Sequence, residues 1–409
     1  MMGGREKQIV LIAGEQARQF AHHVTVVFQN PAGPNYEALR RHPGVHVVSL
    51  RSSGEMSLWA ALQTLRLARQ HDLAFLHSPR IPFLLGLWFA RRPVIYRLSG
   101  LQMSAPRPFQ RAQRSTPARP AMTFNQMTCP QPARSALRHP LEYLAMRSRR
   151  LIRWLLFVNF LRRRAALILV NSSFLKAVGR REYGVAEEKF LIVRNGLDVT
   201  HETKRLEKAR KSARKNEPFT LGFIGRLDPR KRLDRLLQAV APLVHAGYHL
   251  RVLIAGDGDL RPSLEQLARA LDIAAAVEFL GVKHNPYEVL NQCDLFVLPS
   301  DNEAFSNAAL EAMFAGVPVV VFKEGCGTGE IIAHRQNGFL VADGGELCEL
   351  IRELSSRREE CQRIGRQARQ SLEALGLTIQ EHVRMLNDCF AGLLHKNVNN
   401  QGGELVNGY

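Results

Sequence analysis

Apolar and polar residues follow two different spacings along the chain. Short apolar runs without alternating polar residues are typical of strands buried on both faces of a parallel sheet, and apolar residues three or four positions apart predict helices. Strands are predicted at 9–13, 24–28, 45–50, 73–76, 94–98 and 166–170, and again at 219–224, 250–255, 277–280, 295–298, 317–322 and 339–341. Helices are predicted between them. This order predicts an α/β fold with two doubly wound, Rossmann-like domains.

The first two predicted strands, 9–13 and 24–28, lie close together in the sequence. A right-handed β-α-β connection normally needs a dozen or more residues, so this first unit is expected to be shortened. Gly14 follows the first predicted strand. We interpret it either as a turn glycine or as a glycine that faces a phosphate.

Residues 294–320 contain a predicted strand, a turn, a helix, a second turn and the start of another strand. The helix is predicted over 305–314, because Gly316 and Pro318 end its apolar pattern. Glu303 and Glu311 lie around its start, and eight helical steps would separate them by ~12 Å. That spacing suits two ends of an extended ligand and argues against hydrolysis by two acids at one atom. The alternative is that both are solvated helix residues.

The start of this helix also indicates what the ligand carries. Ser306, Asn307 and Ala308 supply its first backbone N–H groups, directly after a parallel strand. A helix start at the carboxyl end of a strand is where an open α/β sheet holds an anionic group.

The composition adds an unusual charge to an ordinary globular chain. The 409 residues suffice for two domains, and 56 Lys and Arg against 37 Asp and Glu leave a formal net charge of +19. Nucleic acid, anionic lipid and phosphorylated substrates are therefore candidate partners. The six cysteines show neither metal-ligand nor disulfide spacing, which favours a reducing cytosol. The sequence shows no signal peptide and no membrane-spanning run, so a soluble or peripheral protein is expected.

Most of the excess charge lies in residues 101–165, where thirteen arginines accompany a single acid, Glu142. The first part is rich in Pro, Gln and Ser and is expected to be a mobile loop. The second part, 141–161, is predicted to be a helix with aromatic and aliphatic residues among arginines. This composition suits a helix in an anionic membrane surface, held by residues 147–164. The alternatives are a helix packed on its own sheet and, without any recognition motif, a nucleic-acid face.

Two cations follow the first strand of the second domain. Arg226 and Lys231 can hold a diphosphate there and offset the charge that develops on a leaving group. The alternative for Arg226 is an ion pair with Asp228.

An Asp-x-Asp, formed by Asp257 and Asp259, lies in the glycine turn after the next strand. Together with diphosphate oxygens it can hold a divalent cation. We expect no metal, because Arg226 and Lys231 already supply positive charge.

The motifs of the second half resemble those of the retaining GT-B glycosyltransferases of family four. GRL-x-x-x-K, AGDG, FLG, a strand ending in LPS, Glu-x7-Glu, AGVPVV and EII…NGFLV occur in this order between residues 219 and 341, with a fainter match from 171 to 198. The resemblance implies two Rossmann-like domains facing a central cleft. It also implies a nucleotide-sugar donor on the second domain, an acceptor on the first, and no metal or other cofactor.

The resemblance assigns roles to the matching positions. Arg226 and Lys231 would bind the donor diphosphate, Glu303 the hydroxyls of the transferred sugar and Glu311 the nucleotide ribose. The backbone amides of the next segment would also bind the donor: Phe305, Ser306 and Asn307. Glu330, which matches an acid at the start of a later helix, is expected to support the site.

The sequence departs from the family in both domains. Ala304 and Arg232 occupy positions that are often glycine in the family. In the first domain Ser99 replaces a histidine, and the first glycine loop is reduced to Gly14. His77 is the best remaining histidine for the cleft, with a structural role as the alternative.

These observations predict a metal-independent hexosyltransferase that retains the anomeric configuration by same-face attack. Its acceptor would be a saccharide or a lipid-linked saccharide, in the synthesis of cell-envelope polysaccharide, lipopolysaccharide or glycolipid, on the cytoplasmic face of an anionic membrane and without nucleic acid. The alternatives are a nucleotide-sugar epimerase or hydrolase and a degenerate nucleotide-sugar binding module. The expected domains are 1–199 with the basic insert 101–165, a linker 200–217, 218–356, a helical segment 357–395 and a disordered tail 396–409.

Overall fold

A computed structural model of the protein describes residues 4–20, 22–28, 37, 39–50, 57–76, 80–90, 92–98, 140–209 and 217–404. The chain divides into two compact units. The N-terminal unit contains Gln16–Val170, Leu175–Val193 and Leu386–Tyr409, and the C-terminal unit contains Met1–Glu15, Asn171–Phe174 and Arg194–Met385. Every strand pair in the described sheets is parallel, as predicted for an α/β fold.

The N-terminal half of the chain begins with helix α1 (Gly4–Phe20). Strands β1 (Val24–Phe28) and β2 (Val45–Ser49) form a two-stranded sheet. A four-stranded sheet follows, in the order β3 (Ala74–Leu76), β4 (Val94–Arg97), β5 (Ala165–Val170), β6 (Phe190–Ile192). The helices among these strands are α2 (Leu58–Arg69), α3 (Ile81–Phe89), α4 (Pro140–Arg163) and α5 (Ser173–Tyr183).

The strand predicted at 9–13 is wrong, because these residues lie within α1. A run of five apolar residues fits a strand or a buried helical turn equally well, and its flanks are rich in helix-forming Glu, Gln, Lys and Arg. Ile12, Ala13 and Gln16 are buried, which is the spacing of one helix face. Gly14 is therefore a buried helical residue, and the interpretation of it as a glycine in a turn is also wrong.

The helix predicted at 141–161 is confirmed as α4, but two of its aromatic residues point into the protein. Phe157 and Phe160 are fully buried. The ring of Phe157 packs edge-on against Tyr96 and Tyr183, with centroid distances of 5.4 and 5.3 Å. The end of α4 is thus a packed helix, which the sequence offered as the alternative to a membrane face.

The C-terminal unit contains a six-stranded parallel sheet. Its elements in chain order are α6 (Val199–Lys208), β7 (Phe219–Ile224), α7 (Leu233–His245), β8 (Leu250–Ala255), α8 (Arg261–Ala270), β9 (Val277–Gly281), α9 (Tyr287–Leu290), β10 (Leu295–Leu298), α10 (Asn307–Ala315), β11 (Val319–Phe322), β12 (Phe339–Val341), α11 (Gly344–Ser355) and α12 (Arg358–Ala374). Helix α13 (Ile379–Glu404) begins in this unit, and its residues from Leu386 belong to the N-terminal unit. The strand order is β12-β11-β10-β7-β8-β9. The order reverses between β7 and β10, and ligands of such sheets bind at the carboxyl ends of the strands beside this reversal.

Two segments are more regular than their composition indicates. The first half of the expected linker forms α6, which Asp198 caps by accepting a 3.0 Å hydrogen bond from the amide of His201. The tail expected to be disordered from residue 396 continues α13 as far as Glu404. Once a helix is nucleated, each added residue gains a hydrogen bond, so residues of low helix propensity can extend it.

Candidate functional site

The loops after β7 and β10 carry the predicted donor-binding residues. Strand β7 pairs with both β10 and β8, so its carboxyl end lies between theirs. The amide of Asp301, after β10, donates a 2.7 Å hydrogen bond to the carbonyl oxygen of Arg230, after β7. Residues that are 71 positions apart in the chain therefore form one continuous loop surface.

The loops after β7 and β8 also pack closely against each other. Gly256, in the loop after β8, has a φ of 141°, and a β-carbon at this position would lie 1.8 Å from the carbonyl oxygen of Gly225, in the loop after β7. Leu227 donates its amide to the carbonyl of Asp257 at 3.0 Å. A side chain at Gly256 would therefore displace the turn that carries Arg226.

Arg226 is largely exposed on this turn. Its Nε lies 4.0 Å from Asp228, whose carboxylate accepts a 2.9 Å hydrogen bond from Arg230. Asp228 also accepts a hydrogen bond from the Arg230 amide and so caps the short 3-10 helix Pro229–Lys231. Because Arg230 is the better-placed partner of Asp228, the guanidinium of Arg226 is available to an anionic ligand.

Lys231 and Glu303 form a direct ion pair. The ammonium of Lys231 donates to one carboxylate oxygen of Glu303, and both side chains are more than four-fifths buried. The sequence predicted these residues for two adjacent parts of the donor, the diphosphate and the sugar. The structure brings them into direct contact.

Arg232, which follows Lys231 in the loop after β7, has a strained backbone conformation. Its backbone is left-handed, with φ 47° and ψ 42°, which costs a residue other than glycine roughly 1–2 kcal/mol. The guanidinium binds Asp234 at 2.9 Å and Asp301 at 2.7 Å. Asp301 also accepts from Arg235 at 2.9 Å. These contacts join the two loops and explain how an arginine occupies a position that suits glycine.

The main chain of Glu303 is fixed on both sides. Its amide donates to the carbonyl of Gly325 at 3.0 Å, and its carbonyl accepts from the amide of Gly327 at 2.8 Å. Cys326, between these glycines, forms a bridge with Glu303. Burial raises the pKa of the Cys326 thiol to about 11, so this neighbour is a neutral thiol and not a nucleophile at neutral pH.

Glu303 precedes helix α10 and is not helical, so the ~12 Å helical spacing to Glu311 does not apply. Helix α10 begins at Asn307, after the N-cap Ser306. The amide of Ser306, which the sequence predicts for the donor, donates to Thr328 Oγ1 at 2.9 Å. Phe305 is buried at the same helix start. The Asn307 side-chain oxygen accepts a 2.8 Å hydrogen bond from Asn195, in the NGLD turn.

Glu311 lies one turn into α10 and is 9% exposed. One of its oxygens is 3.8 Å from a guanidinium nitrogen of Arg205 in α6. Sequence reasoning missed Arg205, because its segment looks like a polar linker.

The Asp257 and Asp259 side chains lie in the turn after β8. Among the described residues, no group of three His, Cys, Asp or Glu side chains is placed to hold a metal ion. The remaining candidates from the first domain, His77 and Ser99, are outside the residues that the structure describes.

Glu330 has a structural contact of the kind that the sequence predicts. It lies in the short helix Gly327–Ile331, and its carboxylate accepts hydrogen bonds from the amides of Ser173 and Phe174, at 3.0 and 2.8 Å. Arg194 is 3.5 Å from the same carboxylate. Glu330 therefore caps the start of helix α5.

We predict that Glu330→Ala lowers the free energy of unfolding by about 1–2 kcal/mol, because two amides at a helix start lose a charged acceptor. Urea unfolding of both proteins measures this difference. The control is Glu349→Ala, which removes an exposed partner of Arg352 and should change stability by less than about 0.5 kcal/mol. Equal effects of the two substitutions would contradict the capping role.

Comparison with known proteins identifies the family. The Glycosyltransferase Family 4 model matches residues 2–201, and the Glycosyl transferases group 1 model matches residues 204–371. The chain therefore belongs to this family of glycosyltransferases, as its motifs predict. Membership favours transfer over the epimerase, hydrolase and binding-module alternatives.

One curated relative is the D-inositol 3-phosphate glycosyltransferase of Corynebacterium urealyticum. It is 35% identical over 193 residues, which cover 43% of this chain and 45% of that relative. The chain spans half or less of the length of the first curated relatives that it matches.

Two solved structures share the fold over nearly the whole chain. HepE of Anabaena, in complex with UDP-glucose, has a TM-score of 0.71 at 21% identity and covers 96% of this chain and 97% of its own. WaaG, a glycosyltransferase involved in lipopolysaccharide biosynthesis, has a TM-score of 0.62 at 17% identity, with 94% and 96% covered. The predicted GT-B fold class is confirmed.

Proposed function

We propose that the protein is a retaining glycosyltransferase that moves a sugar from a nucleotide-sugar donor to a saccharide or lipid-linked acceptor. The observation that carries the proposal is the Lys231–Glu303 pair at the sheet reversal, with Arg226 exposed in the same loop as Lys231. A cation for a diphosphate and an acid for sugar hydroxyls are thereby held side by side.

The chemistry follows from these positions. Lys231 and Arg226 would offset the negative charge that grows on the diphosphate as the bond to the anomeric carbon breaks. Glu303 would accept hydrogen bonds from sugar hydroxyls and orient the ring. The acceptor hydroxyl would then attack from the face that the phosphate leaves, with a departing phosphate oxygen taking its proton. The product keeps the anomeric configuration, and no enzyme-bound sugar forms.

Two relatives support the choice of substrates. HepE is solved with UDP-glucose, which is a nucleotide sugar, and WaaG takes part in lipopolysaccharide biosynthesis. Their folds match this chain over both units, so a nucleotide-sugar donor and a cell-envelope acceptor are the first to test.

A screen of UDP- and GDP-sugars by thermal unfolding tests donor binding, because a ligand of the native state raises its stability. The donor that stabilises the protein is then incubated with candidate acceptors, and the anomeric configuration of the product is determined. We expect transfer with retention. An inverted product, or donor turnover at full rate without an acceptor, would contradict the proposal.

We predict that activity survives a metal chelator, because Lys231 and Arg226 supply the charge that a cation would otherwise provide. Transfer rates with and without EDTA, after dialysis, measure this. Loss of activity with EDTA and recovery with magnesium would instead favour Asp257 and Asp259 as metal ligands.

We further propose that the N-terminal unit contacts an anionic membrane surface at the cytoplasmic face, through the exposed side of α4. None of the helices in the described part of the chain is long and apolar enough to span a bilayer. Ile152 and Leu155 are 53% and 42% exposed, and exposed arginines lie on the same helix at Arg149 and Arg163. The burial of Phe157 moves the contact to the outer face of the helix.

Sedimentation with phosphatidylglycerol and phosphatidylcholine vesicles tests this contact. Each arginine near an anionic surface contributes about 1 kcal/mol, so Arg149→Glu/Arg163→Glu should release the protein from anionic vesicles. Arg162 is left unchanged because it donates a hydrogen bond to the carbonyl of Tyr183 at 2.8 Å. The control, Arg269→Glu/Arg366→Glu, makes the same charge change at exposed positions of the other unit. Equal binding of the two variants would contradict the proposal.

A further inference from the structure

A buried group of charged side chains lies beside Glu311 in the C-terminal unit. Glu202, on α6, is fully buried and accepts a 2.7 Å hydrogen bond from Arg205 Nη1. The same nitrogen is 3.8 Å from Glu311 Oε1. One guanidinium therefore lies between two carboxylates that come from different helices.

Other contacts fix the orientation of the guanidinium. Arg205 Nη2 donates to the carbonyl oxygen of His284 at 2.8 Å, and the guanidinium carbon lies 5.7 Å from the centre of the Tyr287 ring. The carbonyl oxygen of Arg205 accepts from the side chain of Asn285 at 2.9 Å. A planar group held at several points in this way has little freedom to turn towards a ligand.

Tyr287 holds Glu202 in turn. Its hydroxyl donates to the same Glu202 oxygen at 3.0 Å. Burial, and then the nearby carboxylates of Glu202 and Glu311, raise the pKa of Tyr287 far above its usual value, so the hydroxyl stays a neutral donor at physiological pH. Two donors share one oxygen of Glu202, which commits this carboxylate to holding Arg205.

The contact with Glu311 is different in kind. At 3.8 Å it is an ion pair and longer than a hydrogen bond. An ionised carboxylate has about four acceptor positions, so it can accept hydrogen bonds from several donors at once. Arg205 can therefore set the direction of Glu311 while the carboxylate accepts hydrogen bonds from neighbouring hydroxyls.

We propose that Arg205 is a positioning residue that orients Glu311 towards the two ribose hydroxyls of the donor, so that this site selects ribonucleotides over 2′-deoxyribonucleotides. The proposal rests on the assignment of Glu311 to the ribose in the proposed function. Two adjacent hydroxyls meet the two oxygens of one carboxylate only if that carboxylate has a fixed direction. A 2′-deoxy sugar loses one of these donors.

The experiment compares the Kd of UDP with that of 2′-deoxy-UDP by calorimetry, and the Kd of GDP with that of 2′-deoxy-GDP. In the wild type, the ribonucleotide of the preferred base should bind about tenfold to a hundredfold more tightly than its 2′-deoxy counterpart. This ratio of the two Kd values is the range for one hydrogen bond to a charged group. Arg205→Ala should bring this ratio below about threefold and leave the Kd of the deoxynucleotide nearly unchanged. Glu311→Gln should lower the ratio to the same extent.

The control is Arg251→Ala, which removes an arginine of the same unit that pairs with Glu278 at 2.6 Å on the surface and should keep the ratio. If Arg205→Ala does not fold, Arg205→Lys serves the same purpose, because a single lysine nitrogen replaces the two guanidinium nitrogens that contact the carboxylates and the His284 carbonyl separately. Its ratio should also fall.

Two outcomes would overturn the role of Arg205 without contradicting the proposed function. One is a ratio that Glu311→Gln abolishes and both Arg205 variants retain. The other is an equal loss of affinity for ribo- and deoxynucleotides, which would indicate a general structural role. A wild type that binds both members of each pair equally, or binds none of the four nucleotides, would contradict the donor assignment of Glu311, and the inference would fall with it.

Discussion

Replacement of Glu303 by alanine is expected to abolish sugar transfer and to leave nucleotide binding largely intact. The carboxylate is more than four-fifths buried, its main chain is fixed between Gly325 and Gly327, and it contacts Lys231 directly. Loss of one such preorganised group typically costs a hundredfold to a thousandfold in kcat, about 3–4 kcal/mol. Removal of a group that also orients the sugar should exceed this range and bring transfer below detection.

Transfer kinetics and the Kd of the nucleoside diphosphate measure the two effects separately. Glu311→Ala should show the opposite pattern, with weaker donor binding and a smaller loss of kcat, because its carboxylate is assigned to the nucleotide. Glu278→Ala is the matched control, since it removes an exposed carboxylate that pairs with Arg251. Near-native activity of Glu303→Ala would show that the site is assigned to the wrong acid.

Lys231→Ala is expected to have the second largest effect, with Arg226→Ala close to it. Each change removes one cation that is proposed to offset the charge developing on the diphosphate, at about 2–4 kcal/mol of transition-state stabilisation. This range corresponds to a loss of about thirtyfold to a thousandfold in kcat/KM. Lys231→Ala also leaves Glu303 without the ammonium that it contacts, so its effect should be the larger of the two.

Steady-state kinetics with the preferred donor measure this loss. Lys323→Ala is the control, because it removes a half-exposed lysine whose partner, Glu346, is 3.6 Å away on the surface. A fall of less than threefold for both Lys231→Ala and Arg226→Ala would show that the diphosphate is bound elsewhere.

The sequence by itself determined most of the sheet in the C-terminal unit. Strands β7, β8, β10 and β12 have the predicted bounds, because parallel strands buried on both faces need continuous apolar runs between turn residues. The same reasoning failed at α1, where an apolar run of similar length lies between helix-forming segments. Apolar residues alone do not separate a short buried strand from a buried turn of helix.

The sequence also determined which residue types occur at the carboxyl ends of these strands, and therefore the family and its candidate donor site. It could not determine which of them touch. The Lys231–Glu303 pair, the binding of Asp301 by Arg232, and the contact of Arg205 with Glu311 each join residues that are far apart in the chain. Only the folded unit brings these loops and helices together.

Burial was the second property that only the tertiary structure decided. The charge of Glu202 makes α6 look like a solvated linker, yet Arg205 and Tyr287 satisfy that charge inside the unit. The aromatic residues of α4 look suited to a membrane, yet Phe157 packs between Tyr96 and Tyr183. The type of a residue determines what its side chain can bind. Its burial depends on residues that are close in space but distant in the chain, and the sequence pattern does not show these neighbours.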